Sequence, residues 1–458
     1  MTFWTFETIL SATSGERKQG RVSKRITGFS TDSRTIKPGE CFVALSGPRH
    51  DGHDHVARAA QRGASGALVR SSWMPPSNLS GDFLLVGVQD PLEALGELAR
   101  AHRASFHLPV IGVTGSCGKT TTKEMIARVL SGHVSLLKNP GTENNAIGVP
   151  RTLLKLRPGH DAVVCELGMN HPGEIRRLSR ILQPTMAVLT NIGPAHLAGL
   201  GTVEEVYRAK LEILEYLPEG APLFVNADDE HLARLRSRRF RMVRYGMGPH
   251  SDLRARDLET TSRGVGFRLE GKTRLVLRTP GTHQVYNALA AYAVGRELGV
   301  PLRRIVHALE TYRPLAGRMQ IVRKAGITWI NDSYNANPLS TRRALEYLSD
   351  AFSDLRKAVV LGDMLELGRE APAWHREIGD RVVQISPDVF IGVGSQMRLA
   401  LRHVKARSNI PCRAFGNAAG AAEFLRRWLQ PKDVVLVKGS HRLRMEQVIA
   451  CSTNSSIL

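Results

Sequence analysis

For most of this chain, apolar positions fall into short continuous runs. Each run is broken by glycine or a polar residue and followed by a stretch of helical spacing. Up to about residue 108, the runs CFVAL (41–45), GALVR (66–70) and DFLLVGV (82–88) predict strands, and VARAAQRGA between two of them predicts a helix. Leu92, Leu95 and Leu98 share one face of a second helix that ends near Arg103. At Pro109 the pattern restarts. PVIGVTG, DAVVCELG, TMAVLTNIG and APLFVNADD are apolar until a small or polar residue stops them. Strands covered on both faces need no alternating polar positions, so these runs predict a buried parallel sheet with its functional loops at the C-terminal strand ends. The alternating segments GVGFRLEG and TRLVLRTP, near 252–278, predict an inserted antiparallel hairpin. From 315 onward the rhythm returns in GITWINDSYN, KAVVLGDM, DVFIGVG and KDVVLVKGS. The expected fold class is therefore α/β in three domains: an N-terminal α/β domain (1–108), a central P-loop-type, mostly parallel sheet (109–314) and a C-terminal Rossmann-like domain (315–458).

Composition narrows the function classes. With 458 residues, 42% of them hydrophobic, the chain can bury several cores. No apolar run approaches the roughly 20 residues that a bilayer-spanning helix needs. The start, MTFWTFETIL, carries Glu7 inside its apolar stretch and no basic residue, so no secretory signal is expected and a cytoplasmic location is. Five cysteines without close pairing predict reduced, mostly buried thiols, and neither a disulfide framework nor structural zinc. The net charge of +21 suggests an anionic ligand. The charge is diffuse, its densest stretch (RSRRF) lacks interleaved aromatics, and no nucleic-acid-binding motif appears. A nucleotide substrate is expected rather than nucleic acid.

The strongest local signal is VIGVTGSCGKTTTKEMIARVL (110–130). A strand-like run leads into Gly115-Ser116-Cys117-Gly118-Lys119-Thr120, then a helix carrying Ile126, Val129 and Leu130 on one face. Such a loop turns backbone N–H groups toward phosphate at a helix N-terminus, with Lys119 available for the β/γ-phosphates and Thr120 for Mg²⁺. Val113 stands where the first glycine of the longer GxxxxGKT form would be. Three later strand ends or helices add Glu166, His196 and Lys210. Singly these read as a strand-end acid, a solvated loop histidine and a helix-surface lysine. In chain order after a phosphate loop they suggest a magnesium–triphosphate site.

The runs GSCGKTT, CELGMNHPGEI, TNIGPAHL and AKLEI together resemble the Mur ligases, three-domain ATP-dependent amino-acid ligases. The resemblance implies ATP and Mg²⁺ as cofactors, with Glu166 and His196 binding the metal. It also implies that Lys210 is carbamylated by carbon dioxide. That modification requires a neutral amine, so the site has to lower this lysine's pKa. KNPGTENNAIGVP (138–150) resembles the family's TxGNxNNxxGxP loop: Asn144 and Asn145 match as substrate contacts, while Asn139 and Thr142 replace the usual Thr and Asn. GTHQVYNALAAYAV offers His283 and Asn287 for adenine, although Asn287 alone reads as a helix cap. Thr121 extends the ATP loop, and GRM places Arg318 where the family reaches the γ-phosphate.

NDSYNANPLS (331–340) resembles the branch that adds D-alanyl-D-alanine. It implies Asp332 facing ATP, with Tyr334, Asn335 and Asn337 shaping the closed cleft. No DNPR-type run of the diaminopimelate-adding sibling is present. VVLGDMLELG and VKGSHRLRMEQV also match that branch through Lys438 and Ser440, with His441 where arginine is frequent. TDSRTIKPGECFVALSGPRHDGHDHV (31–56) resembles the domain holding the UDP end of the substrate, with Ser33 and Arg34 as contacts. The implied partners are UDP-N-acetylmuramoyl-tripeptide and D-alanyl-D-alanine, with no nucleic acid, no membrane insertion and a monomeric state. The alternatives are the sibling that adds diaminopimelate or lysine and, from another class, a nucleic-acid-associated ATPase.

Overall fold

The computed structural model describes residues 4–20, 25–77 and 79–453, so Met1–Phe3 of the N-terminal stretch lie outside the described residues. Three sheets follow one another along the chain. The first holds β1 (Glu16–Gln19), β2 (Gly28–Ser30), β3 (Glu40–Val43), β4 (Gly66–Arg70) and β5 (Leu84–Val88) in the order β1-β5-β4-β3-β2, with only β1 antiparallel. CFVAL, GALVR and DFLLVGV supply its buried strands. The Leu92/Leu95/Leu98 face belongs to the helix Pro91–Ala104, which Asp90 caps by accepting from the Leu92 N–H.

The second sheet contains β6 (Val110–Thr114), β7 (Leu136–Lys138), β8 (Ala162–Glu166), β9 (Met186–Leu189), β10 (Pro222–Asn226), β11 (Arg241–Gly246), β12 (Leu253–Thr261), β13 (Gly264–Leu269) and β14 (Thr273–Leu277). Its order is β14-β13-β12-β11-β10-β9-β6-β8-β7. β6, β8 and β9 are buried throughout, as apolar runs sandwiched between helices should be. β6 lies between β8 and β9, so the chain leaves it to both sides and opens a crevice at its C-terminal end. The predicted antiparallel hairpin is present as β13 and β14, and β12 joins it to the main sheet. β12 pairs parallel with β11, and β13 and β14 continue antiparallel from it, so the alternating pattern marks a half-covered edge of the main sheet.

The third sheet, β15 (Gln320–Lys324), β16 (Ile327–Asp332), β17 (Lys357–Gly362), β18 (Val389–Val393), β19 (Cys412–Phe415) and β20 (Val434–Lys438), runs β15-β16-β20-β17-β18-β19 and is parallel except for β15. The edge strands β15 and β19 are partly exposed and carry arginine and lysine, so they lack the apolar signature by which their neighbours are recognised. One apolar cluster runs from Val163 and Leu189 of the second sheet to Ile330 and Leu361 of the third, tying the two together. All five cysteines are free thiols, with Cys41, Cys165 and Cys412 buried. Among the described residues no helix is long and apolar enough to cross a membrane.

Candidate active site

The loop after β6 needs its glycines for close approach. Gly115 (φ +148°) and Gly118 (φ +78°) adopt conformations open to glycine. A Cβ on the first would lie 2.0 Å from Thr190 Oγ1, and on the second 2.5 Å from Asn287 Oδ1. Residues after β9 hold the loop in place. Asn191 Oδ1 accepts from Cys117 N at 2.8 Å, Thr190 Oγ1 donates to Cys117 O at 2.6 Å, and Ser116 Oγ donates to Gly193 O at 3.0 Å. Lys119 Nζ donates to Gly115 O at 2.8 Å, so the ammonium folds back over its own loop. Burial pushes its pKa below the ordinary lysine value, with Glu166 acting in the opposite direction.

Glu166 ends β8, beside the loop, and is 1% exposed. Its Oε2 accepts from Thr120 Oγ1 and its Oε1 from Asn144 Nδ2, both at 2.7 Å. Asn139 brackets the same strand end: its Oδ1 accepts from Glu166 N at 3.0 Å and its Nδ2 donates to Glu166 O at 3.1 Å. The departure at position 139 thus leaves an amide that brackets the Glu166 backbone, a role without a local sequence signal. Thr121 lines the cleft one residue further on.

Lys210 is fully buried at the end of the helix Val203–Leu211, and its Nζ has no hydrogen-bond partner. Burial and the neighbouring Lys119 drive its pKa well below the ordinary value, against a smaller pull from Glu166. Glu212, which the sequence reading missed, fixes this helix. Its carboxylate accepts from Gly173 N at 2.7 Å and Arg176 N at 3.0 Å, capping the helix Glu174–Leu182 and docking the Lys210 helix against it. His196 also lines the cleft, and its Nδ1 lies 2.8 Å from Glu366 Oε2 of the third sheet's domain. Burial lowers its pKa, the bond to Glu366 raises it, and Lys119 adds a smaller lowering.

A cleft of about 1120 Å³ joins Lys119, Thr120, Glu166 and His196 to residues from all three regions, whereas the buried Lys210 does not line it. Asn144, Asn145, Arg318, Asp332, Tyr334, Asn335, Asn337 and Lys438 line it. Several also hold one another. Asp332 pairs with Lys438 at 2.5 Å, and Lys438 also donates to Asn335 O at 2.8 Å. The Arg318 guanidinium lies 4.1 Å from the Tyr334 ring centroid, and Tyr334 Oη is 2.5 Å from Thr142 Oγ1. The His441 ring stands 5.3 Å from the Tyr334 ring. Asn337 caps the helix Pro338–Ala351, and its Nδ2 reaches Cys117 Sγ at 3.1 Å, so the cap and the phosphate loop are linked across the cleft. Asn145 Oδ1 accepts from Ile147 N and Gly148 N as a local turn.

His283 and Asn287 lie on the helix His283–Glu297. Asn287 sits in its second turn rather than at its cap, accepting from Thr122 Oγ1 at 3.0 Å and donating to Gln284 Oε1 at 2.9 Å. The cap reading is therefore replaced by a role bracing the phosphate loop. His283 is pushed down to about 3 by burial, with Arg343 and Lys438 adding to the shift, so its imidazole is neutral. Ser33, Arg34 and Ser440 lie apart from the cleft. Ser33 is buried, and the largely exposed Arg34 is bidentate to Asp32 (2.9 and 2.8 Å). Ser440 accepts from Leu365 N at 2.9 Å and shapes a loop of the third domain. The sequence reading missed Asp228, which accepts from Met247 N and from Tyr286 Oη, and the cleft-lining Arg342 and Arg343.

Comparison with known proteins agrees with this arrangement. Residues 25–103 match the Mur ligase family catalytic domain, 113–295 the Mur ligase middle domain, and 317–441 the Mur ligase glutamate ligase domain. The UDP-N-acetylmuramoyl-tripeptide–D-alanyl-D-alanine ligase of Escherichia coli is 35% identical over 433 residues, covering 93% of each chain. A crystal structure of MurF from Acinetobacter baumannii superposes with a TM-score of 0.91 at 33% identity, covering 99% of this chain and all of that one. The MurF ligase of Thermotoga maritima, solved in complex with ADP, gives a TM-score of 0.84 at 28% identity over 93% of this chain and 97% of that one. With the phosphate loop, the buried lysine and the three-sheet order all in place, this chain belongs to the Mur ligase family, in the branch whose members are named UDP-N-acetylmuramoyl-tripeptide–D-alanyl-D-alanine ligases.

Proposed function

We propose that the cleft performs ATP-dependent amide ligation in the cytoplasm, joining D-alanyl-D-alanine to UDP-N-acetylmuramoyl-tripeptide. The tripeptide carboxylate attacks the γ-phosphorus of ATP, the bond to the β-phosphate oxygen breaks, and an acyl phosphate and ADP result. The dipeptide amine then attacks the acyl carbon and displaces phosphate, forming the amide and losing a proton. The first step brings anion to anion. Two like unit charges 4 Å apart in an effective dielectric of 20 repel by about 4 kcal/mol, equivalent to about a thousandfold in rate. Charge cancellation is therefore the main task of the site. Lys119 and the phosphate-loop amides meet the triphosphate, and Arg318, held over the Tyr334 ring, adds a cation from the third domain. The links Asn337–Cys117 and Tyr334–Thr142 close the cleft over the reactants and exclude water, which would otherwise hydrolyse the acyl phosphate.

The donor set fits Mg²⁺. A hydroxyl (Thr120) and a carboxylate (Glu166) meet at a helix N-terminus, and His196 lines the same cleft. Bound there, Mg²⁺ would neutralise phosphate oxygens. Lys210 carries this reading. A buried amine without a hydrogen-bond partner is costly to the fold, yet with its pKa lowered by burial it suits reaction with CO₂: the nitrogen bonds to carbon, a proton leaves, and an anionic carbamate results. Domain limits near 108 and 314, Ser33 and Arg34 as contacts to the uridine-nucleotide end, and a monomeric state belong to the same proposal.

The test is phosphate release with the tripeptide nucleotide and each acceptor in turn. Turnover with D-alanyl-D-alanine, and none with diaminopimelate or lysine, is expected. Turnover with a single diamino acid alone would assign the sibling activity. ATP hydrolysis stimulated by DNA, with no peptide product, would place the protein in another class.

A further inference from the structure

His196 and Glu366 are contributed by different domains, and both leave the ordinary backbone regions to meet. His196 sits at φ +56° and Glu366 at φ +67°, left-handed conformations uncommon for residues with a side chain. Glu366 lies between β17 and the helix Ala371–Ile385, on the loop Met364–Gly368. Three contacts dock this loop on the turn that carries His196. Glu366 Oε2 lies 2.8 Å from His196 Nδ1, and Ala198 N donates to Glu366 O at 2.9 Å. A Cβ on Gly368 (φ +58°) would stand 3.2 Å from Ala198 Cα, so the backbones nearly touch.

A carboxylate only accepts hydrogen bonds, so a bond to Nδ1 requires the hydrogen to sit on that nitrogen. The lone pair of the neutral ring is then on Nε2, the nitrogen left for the cleft that His196 lines. We propose that Glu366 is a positioning residue. When the third domain closes, it sets which ring nitrogen of His196 carries hydrogen and holds the ring's orientation, so that closure itself completes the ligand set beside the phosphate loop. This rests on the Mg²⁺–ATP reading of the cleft. It gives the third domain a part in metal binding as well as in covering the substrates.

The test uses the full chain with Glu366→Ala and Glu366→Gln, alone and with His196→Ala. Carboxylate partners of metal-binding histidines are typically worth about 10–100-fold in affinity or activity. Glu366→Ala is expected to lower kcat by about that factor while KM for ATP moves less than about threefold. Glu366→Gln, whose amide oxygen still accepts, should recover part of the loss. Against His196→Ala, Glu366→Ala should cost little more, because the two act as one unit. Two readouts do not depend on turnover. Mn²⁺ affinity by electron paramagnetic resonance, with a non-hydrolysable ATP analogue bound, should fall with kcat. The ¹⁵N shifts of His196 in metal-free protein with the same analogue should report hydrogen on Nδ1 in the wild type and its loss from Nδ1 in Glu366→Ala.

Additive losses in the double variant, unchanged Mn²⁺ affinity, or a ring with hydrogen on Nε2 in the wild type would each overturn the proposal. Failure of the ligase reading would look different: the wild type itself would show no acceptor-dependent phosphate release, and the ¹⁵N comparison would still decide the role of Glu366.

Discussion

The C-terminal strand ends of the second and third sheets face each other across one cleft and are built by opposite rules. At the second sheet, nearly every polar group is held by its own domain: the phosphate loop by Thr190 and Asn191, Glu166 by Thr120, Asn139 and Asn144, and the Lys210 helix by Glu212. That end is pre-organised, as a surface meeting triphosphate charge should be. At the third sheet, Asp332 and Lys438 satisfy each other, whereas Asn337, Tyr334 and Glu366 also reach across to the opposite wall, to Cys117, Thr142 and His196. In the proposed reaction, the first wall carries the chemistry and the second registers closure. Lys210 shows what this arrangement costs. A buried polar group would be hydrogen-bonded if stability alone were selected, and this amine is not.

Substitutions on the two walls should therefore differ in size and kind. The largest effect is expected from Lys119→Ala, with kcat/KM lower by about a thousandfold or more because a preset cation is removed from developing charge; ligation assays with saturating acceptor measure it, and near-normal turnover would break the pre-organised picture. Lys210→Met should lose ligation by about a hundredfold or more while folding stability in calorimetry holds or rises by about 1 kcal/mol. The sign follows from the depressed pKa. Between that depressed value and the unfolded lysine value of about 10.4, the unfolded chain binds a proton that the folded chain does not, so wild-type stability falls as pH drops through this window. The methionine variant should show a flatter slope there, and an unchanged slope would contradict a lowered Lys210 pKa. The smallest effect is expected from Tyr334→Phe, which keeps the stack under Arg318 and removes one hydrogen bond to Thr142. A net loss of about 1 kcal/mol corresponds to about fivefold in kcat, with ATP affinity in the open protein unaltered; isothermal titration and steady-state rates separate the two.

Local pattern made much of this legible. Strands buried on both faces announce themselves, so β4, β6, β8, β9, β10, β17, β18 and β20 stand where their apolar runs predict. The phosphate loop is legible because glycine, lysine and threonine act within six residues of one another. The partly exposed edges β15 and β19 were not, nor was the junction by which β12 joins the predicted hairpin to the main sheet, since half-covered strands carry mixed patterns.

By itself, the order of residues determined the α/β class, the phosphate loop and, through its spaced motifs, the family and the candidates Glu166, His196, Lys210 and Arg318. Only the tertiary structure decided which of these meet and what holds them: Asn139 and Asn144 around Glu166, Glu212 beneath Lys210, Asn287 against Gly118, and Glu366 upon His196. It also set Ser33 and Arg34 away from the cleft. The physical reason is range. Backbone preference and burial pattern act over a few residues, whereas a hydrogen bond between residues 196 and 366 exists only after two separately patterned sheets have packed together.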